Sequence, residues 1–119
     1  MSLTLYWHPQ CQTCRKVKKW LDEHEVSYTA KQIVNDPPTR EELLDMYQKS
    51  GLELKSFFNT HHKRYRELGI KDKTKKATEN ELLDLLASNA RIIKKPILTD
   101  GQIVIIGFKE QDFIKLLSE

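Results

Sequence analysis

An α/β fold is predicted, on three observations. Near the start, the apolar run "LTLYW" is followed by a helical face and then by a second β-rich run, "VSYTAKQIV". Near the end, two apolar runs flank Asp100-Gly101 and lead into another helical face. Between them lies a stretch whose patterning is helical. The order is therefore β-α-β, a helical insertion at about residues 36–90, then β-β-α, in one domain spanning residues 1–119. A chain of 119 residues supports one modest core and not two.

Each element has a local reason. The first run suits a buried strand and is stopped by Pro9. Val17, Trp20, Leu21 and His24 then recur at i, i+3, i+4 and i+7, one face of a helix whose other faces carry Arg15, Lys16, Lys18 and Lys19. The strand after it is parallel to the first if the helix is a right-handed crossover. Asp36-Pro37-Pro38 breaks the chain, and Thr39-Arg40-Glu41-Glu42 has the form of a capping box, opening a helix to about Lys49 that Ser50-Gly51 ends. Short helices are expected at Leu54 to Phe58 and around Tyr65 to Leu68, the second closed by Gly69. Thr78-Glu79-Asn80-Glu81 repeats the capping form before Leu82, Leu83, Leu85 and Leu86, giving a helix to about Asn89. "PILTDGQIVIIGF" reads as a hairpin, and Phe113, Ile114, Leu116 and Leu117 as one face of a closing helix. This is the element order of the thioredoxin fold, with helices inserted between its halves.

The charge balance narrows the function classes. Twenty Lys and Arg against 17 Asp and Glu leave a net charge of +3, scattered along the chain. That is too mild to argue for direct nucleic-acid binding, although "HHKRYREL" and "KDKTKK" make the middle locally basic. Disorder is expected only near Lys71 to Lys76. No 18-residue apolar run occurs, and "MSLTLYW" has no basic region leading into a long apolar one. A cytoplasmic protein without a membrane partner is expected, and a monomer.

The only two cysteines are Cys11 and Cys14, in a Cys-X-X-Cys at the start of the first helix. Unpaired backbone N–H groups and the positive end of the helix dipole favour a thiolate there, and Arg15 and Lys16 add cationic charge nearby. Cys14, one turn on, can come within bonding distance of Cys11 and should be the less exposed of the two. Cys11 is thus the expected nucleophile and Cys14 the resolving thiol, ending in an internal disulfide that an external thiol system reduces. Two other readings remain open: small apolar residues packing a helix start, or half of a metal site completed by His8, His24, His61, His62 or carboxylates. No bound cofactor or metal is expected.

Pro96 precedes an apolar strand. It could simply open that strand. In a thioredoxin-like fold a cis-proline at this point lies beside the cysteine pair, so a cis Lys95–Pro96 bond is expected, with Lys95 near Cys11.

"LYWHPQCQTCRK", "NDPPTREEL", "FFNTHHKRYRELGI", "KKPIL" and "IGFKEQDF" occur in an order that resembles the arsenate reductase-like and Spx-like family of thioredoxin-fold proteins over nearly the whole chain. The resemblance implies a thioredoxin-like sheet with a helical insert and a reactive cysteine matching Cys11. Arsenate-reducing members use that cysteine with glutathione and glutaredoxin and hold the oxyanion with arginines. Those arginines align here with Asn59, Lys95 and Gly107, while Arg64, Arg66 and Arg91 lie in the neighbourhood. Lys95 alone does not supply a planar bidentate clamp. Spx-like members share both cysteines and the "GF" after the last strand; they bind the C-terminal domain of the RNA polymerase α subunit, with their disulfide as the switch. Their insert glycine aligns with Glu53. The expected function is a thiol-disulfide redox protein, reductase-like, acting on a protein or small-molecule thiol or disulfide and served by thioredoxin or glutathione with glutaredoxin. A redox-sensitive regulator binding RNA polymerase is the alternative, and arsenate reduction stands third.

Overall fold

The computed structural model describes residues 3–59, 63–67, 69 and 77–117. His61, His62 and the stretch from Lys71 to Lys76 lie outside them. Strand β1 (Thr4–Trp7) leads into α1 (Gln12–Glu23) and β2 (Thr29–Gln32). Helix α2 (Arg40–Ser50), a 3-10 turn at Leu54–Phe57, α3 (Lys63–Glu67), α4 (Glu79–Ser88) and a second 3-10 turn at Ala90–Ile92 follow. The chain closes with β3 (Ile97–Thr99), β4 (Val104–Ile106) and α5 (Glu110–Leu117).

The strands form one mixed sheet in the order β2-β1-β3-β4. β1 is parallel to β2, and β3 is antiparallel to both β1 and β4, so the β-α-β and β-β-α halves meet along the β1–β3 seam. Registers put Leu5, Leu98 and Ile105 side by side on one face and Tyr6, Ile97 and Ile106 on the other, as the period of two along a strand requires. The first face is covered by Val17, Trp20 and Leu21 of α1 and Phe113 of α5. The second lies under Leu43 and Met46 of α2, Phe57 and Phe58, and Leu82, Leu83 and Leu86 of α4. Two apolar layers thus sandwich the sheet, and the architecture is the thioredoxin-like α/β one read from the sequence.

The local punctuation is explicit. The Thr39 hydroxyl accepts from the Glu42 N–H at 3.1 Å while the Glu42 carboxylate accepts from the Thr39 N–H at 2.9 Å, a complete capping box. At Thr78 the box is half made: its hydroxyl accepts from the Glu81 N–H at 3.2 Å, but the Glu81 carboxylate takes the Thr78 hydroxyl proton at 3.3 Å instead of the backbone N–H. Gly51 ends α2 at φ +70, left-handed backbone that a side chain disfavours. The hairpin turn is longer than the Asp100-Gly101 pair: the Asp100 carboxylate accepts from the N–H groups of Gln102 and Ile103, both at 2.8 Å, and closes residues 100–103 into one loop.

Two helical faces differ from the reading of the sequence. His24 is exposed and follows the last turn of α1, where it stacks on Trp20 with ring centroids 3.9 Å apart. In α5, Phe113 is fully buried but Ile114 is 53% exposed. Phe113 takes the position that meets Trp20 and Phe108, with ring centroids 5.3 Å and 5.4 Å away, and Ile114, about 100° further round the helix, is left at the surface.

Candidate functional site

Cys11 is the N-cap of α1. A turn at Pro9 and Gln10 brings the Cys11 N–H to the His8 carbonyl at 3.0 Å, and Cys11 itself is extended at φ -88, ψ 112. Its sulfur accepts from the Cys14 N–H at 3.2 Å, doing what a Ser, Thr or Asp oxygen does at most helix starts. Its carbonyl accepts from the Arg15 N–H at 3.1 Å, the first bond of the helix. Cys11 is partly exposed, Cys14 is 0% exposed one turn behind it, and both are free thiols. The exposed-then-buried order expected of the pair is the order found.

Burial pushes the Cys14 thiol up to about 12, with its hydrogen bond to Cys11 adding to the effect. The folded chain therefore holds the Cys14 proton more tightly than the unfolded chain, whose ordinary value is 9.0. This part of the stability is fully present below about pH 9 and is lost as pH rises from there towards about 12. Urea midpoints of the reduced protein should fall between about pH 8 and pH 10.5, and Cys14→Ala should flatten that slope. Parallel slopes would contradict the account.

Across from the cysteines, Ile97 pairs with Tyr6, so the residues just before β3 lie beside the end of β1. The Lys95–Pro96 bond is cis, as expected. The Pro96 carbonyl accepts from the Gly107 N–H at 2.8 Å, and Gly107 holds φ +81. Lys95 is half-buried; burial lowers its ammonium pKa and Arg91 adds to this, while Cys14 and Cys11 oppose it. Lys95 lines the same hollow as Cys11.

Upstream, a bridge between Phe58 and Ile93 fixes the segment before β3. The Lys94 N–H donates to the Phe57 carbonyl at 2.7 Å, and the Asn59 N–H to the Ile92 carbonyl at 2.6 Å. With Phe57, Phe58, Ile92 and Ile93 all buried, the flanking polar residues are held at the surface. There an open hollow of about 600 Å³ collects His8, Cys11, Asn59, Arg91, Lys94 and Lys95. His8 is pushed below its usual pKa, first by burial and then by Lys95 and Arg91. Its Nδ1 accepts from the Gln10 N–H at 3.1 Å, so the neutral ring carries its proton on Nε2.

Arg15, expected beside the thiolate, lines a different hollow with Trp7 and Lys18, whose ammonium sits 3.8 Å from the Trp7 ring centre. Cys11 and Lys95 line one hollow, Pro96 is buried next to Lys95, and Arg15 is not among the residues lining that hollow. Of the three arginines noted near the family positions, Arg91 lines the hollow. Arg66 is exposed on α3, and the Arg64 side chain lies outside the description. The sequence reading underweighted Arg91 and His8. The signal was there: "RIIKK" sets cations on both sides of a buried Ile pair, and His8 directly precedes the turn into the cap.

The ArsC family model matches residues 6–116. An uncharacterised protein of Bacillus subtilis, YusI, is 53% identical over 95% of this chain and 96% of its own length. The regulatory protein MgsR of the same organism is 30% identical over 97% of this chain and 90% of its own. Among solved structures, an ArsC-family-related protein from Bacteroides fragilis superposes with a TM-score of 0.93 at 41% identity, covering 98% of each chain. The match takes in both halves of the sheet, the cysteine cap and the strand after Pro96, and on these grounds the chain belongs to the ArsC family.

Proposed function

We propose that the protein is a thiol-disulfide redox protein in which Cys11 attacks and Cys14 resolves. The observation that carries this is the division of labour at the cap: an accessible sulfur on the rim of a hollow, and a second sulfur buried one turn behind it. The Cys11 thiolate attacks one sulfur of a substrate disulfide; that S–S bond breaks, a mixed disulfide forms, and the departing thiolate takes a proton from solvent. Cys14 then gives up its proton and attacks the Cys11 sulfur, releasing the second substrate thiol and leaving a Cys11–Cys14 disulfide. The substrate has gained two electrons and the chain has lost two. A dithiol such as thioredoxin, or glutathione with glutaredoxin, returns them. Lys95, which lines the hollow with Cys11, is the cation placed to stabilise negative charge on sulfur as the bonds exchange.

A second reading is favoured by the relatives named MgsR and Spx, the latter a global transcriptional regulator of Streptococcus pyogenes at 30% identity. In it the same disulfide controls association with the RNA polymerase α subunit instead of turning over. The insert position aligned with the regulators' glycine is Glu53, exposed at the start of the first 3-10 turn. Arsenate reduction would need an oxyanion clamp, for which this hollow offers Arg91 as its one arginine among the lining residues.

A Cys14→Ser protein used as bait in a cell lysate separates these readings. The redox reading expects proteins captured through Cys11 and released by reductant. Capture equal to that of a Cys11→Ser, Cys14→Ser double variant would overturn it. RNA polymerase that stays bound after reduction would establish the regulator.

A further inference from the structure

The rim around Cys11 is of one sign. Arg91 and Lys94 are exposed and Lys95 is half-buried, all three line the same hollow, and no Asp or Glu is among its lining residues. Elsewhere in the described residues several cations sit beside carboxylates, Lys19 with Glu23, Arg40 with Asp84, Lys49 with Asp45 and Lys63 with Glu67. In a chain whose basic residues outnumber its acidic ones only 20 to 17, such a cluster at the reactive sulfur is a local departure from the mean. Neutral donors complete the hollow, with His8 protonated on Nε2 and Asn59 beside it. A volume of about 600 Å³ falls within the roughly 300–1,000 Å³ usual for small-ligand sites. A bare tetrahedral oxyanion would leave most of it to water.

We propose that the disulfide Cys11 attacks belongs to a peptide with carboxylates immediately beside its half-cystine, held by Arg91, Lys94 and Lys95 around the sulfur. This rests on the thiol-disulfide reading above and names its substrate class. The carboxylates position the scissile S–S bond over Cys11, and the cations raise the encounter rate by attraction at a distance. The electron balance is that of ordinary exchange: the Cys11–substrate S–S bond forms as the substrate S–S bond breaks. The same chemistry occurs in an acidic protein segment and in glutathione disulfide.

The test uses Cys14→Ser protein, so that the mixed disulfide accumulates and can be counted by mass spectrometry after acid quenching. Its probes are three disulfide-linked peptides that differ only in acidic, neutral or basic residues flanking the cysteine, together with glutathione disulfide. The acidic peptide should react about tenfold faster than the neutral one and the basic peptide about tenfold slower at low salt, with both gaps shrinking in about 0.5 M salt. Adding Arg91→Glu and Lys94→Glu, both at exposed positions, should bring the acidic-to-neutral ratio to about one or below. An acidic peptide faster than glutathione disulfide assigns the hollow to protein segments, and the reverse to the tripeptide; either supports the shared chemistry. Equal rates for the three peptides, or a ratio unmoved by the charge reversals, overturn the inference while leaving the redox reading intact. Failure of every disulfide to react overturns both.

Discussion

Cys11→Ser is expected to lower the rate of thiol-disulfide exchange by more than about a thousandfold, because a serine hydroxyl stays protonated where a thiolate is the attacking species. Cys14 does not substitute for it: the sulfur is 0% exposed and burial holds its proton up to about 12. The fold should survive, since a serine oxygen at the N-cap accepts the Cys14 N–H bond that the Cys11 sulfur now takes at 3.2 Å. Stopped-flow reduction of a chromogenic disulfide measures the loss, and a denaturation curve run in parallel checks the fold. A variant within tenfold of the parent would remove Cys11 from the chemistry.

Phe57→Ala should cost about 3–5 kcal/mol, a large part of the roughly 5–15 kcal/mol that holds a typical domain. Phe57 is 0% exposed, lies in the apolar layer between α2, α4 and the sheet, and meets the Tyr47 ring edge-on at 6.4 Å between centroids. Its carbonyl also accepts from the Lys94 N–H, so the cavity left behind would loosen the strap that presents Arg91, Lys94 and Lys95. The urea midpoint should fall steeply. Ile114→Ala, at a position 53% exposed, should stay within about 0.5 kcal/mol of the parent. Comparable losses at both positions would contradict the assignment of the core.

What could be read in advance was local. The Thr39 box, the Gly51 stop and the cap at Cys11 depend on residues within one turn, and the structure places all three as their spacing implies. The buried stripe Val17, Trp20 and Leu21 follows from helical period alone. Where two apolar neighbours competed for one face, as at Phe113 and Ile114, the pattern could not say which would point inward. The rim of the hollow was harder still. Arg91 and Lys94 reach it because Ile93 bridges to Phe58, a pairing between segments far apart in sequence, whereas Arg15, adjacent to Cys14, turns to another surface. Proximity along the chain pointed to Arg15 and passed over Arg91. The burial of Cys14 behind Cys11 followed from its place one turn along the helix, whereas the strand order β2-β1-β3-β4 depends on the long-range pairing of β1 with β3.

The most direct test of a nucleophile backed by a buried resolving thiol is the stoichiometry of a single turnover with a chromogenic aromatic disulfide. The wild-type protein should release two thiols and end as an internally bridged chain lighter by two hydrogens, whereas Cys14→Ser should release one and retain an aromatic adduct on Cys11. If wild-type protein and Cys14→Ser both stop at a stable adduct, or if the adduct forms first on Cys14, the assignment of the two cysteines is wrong.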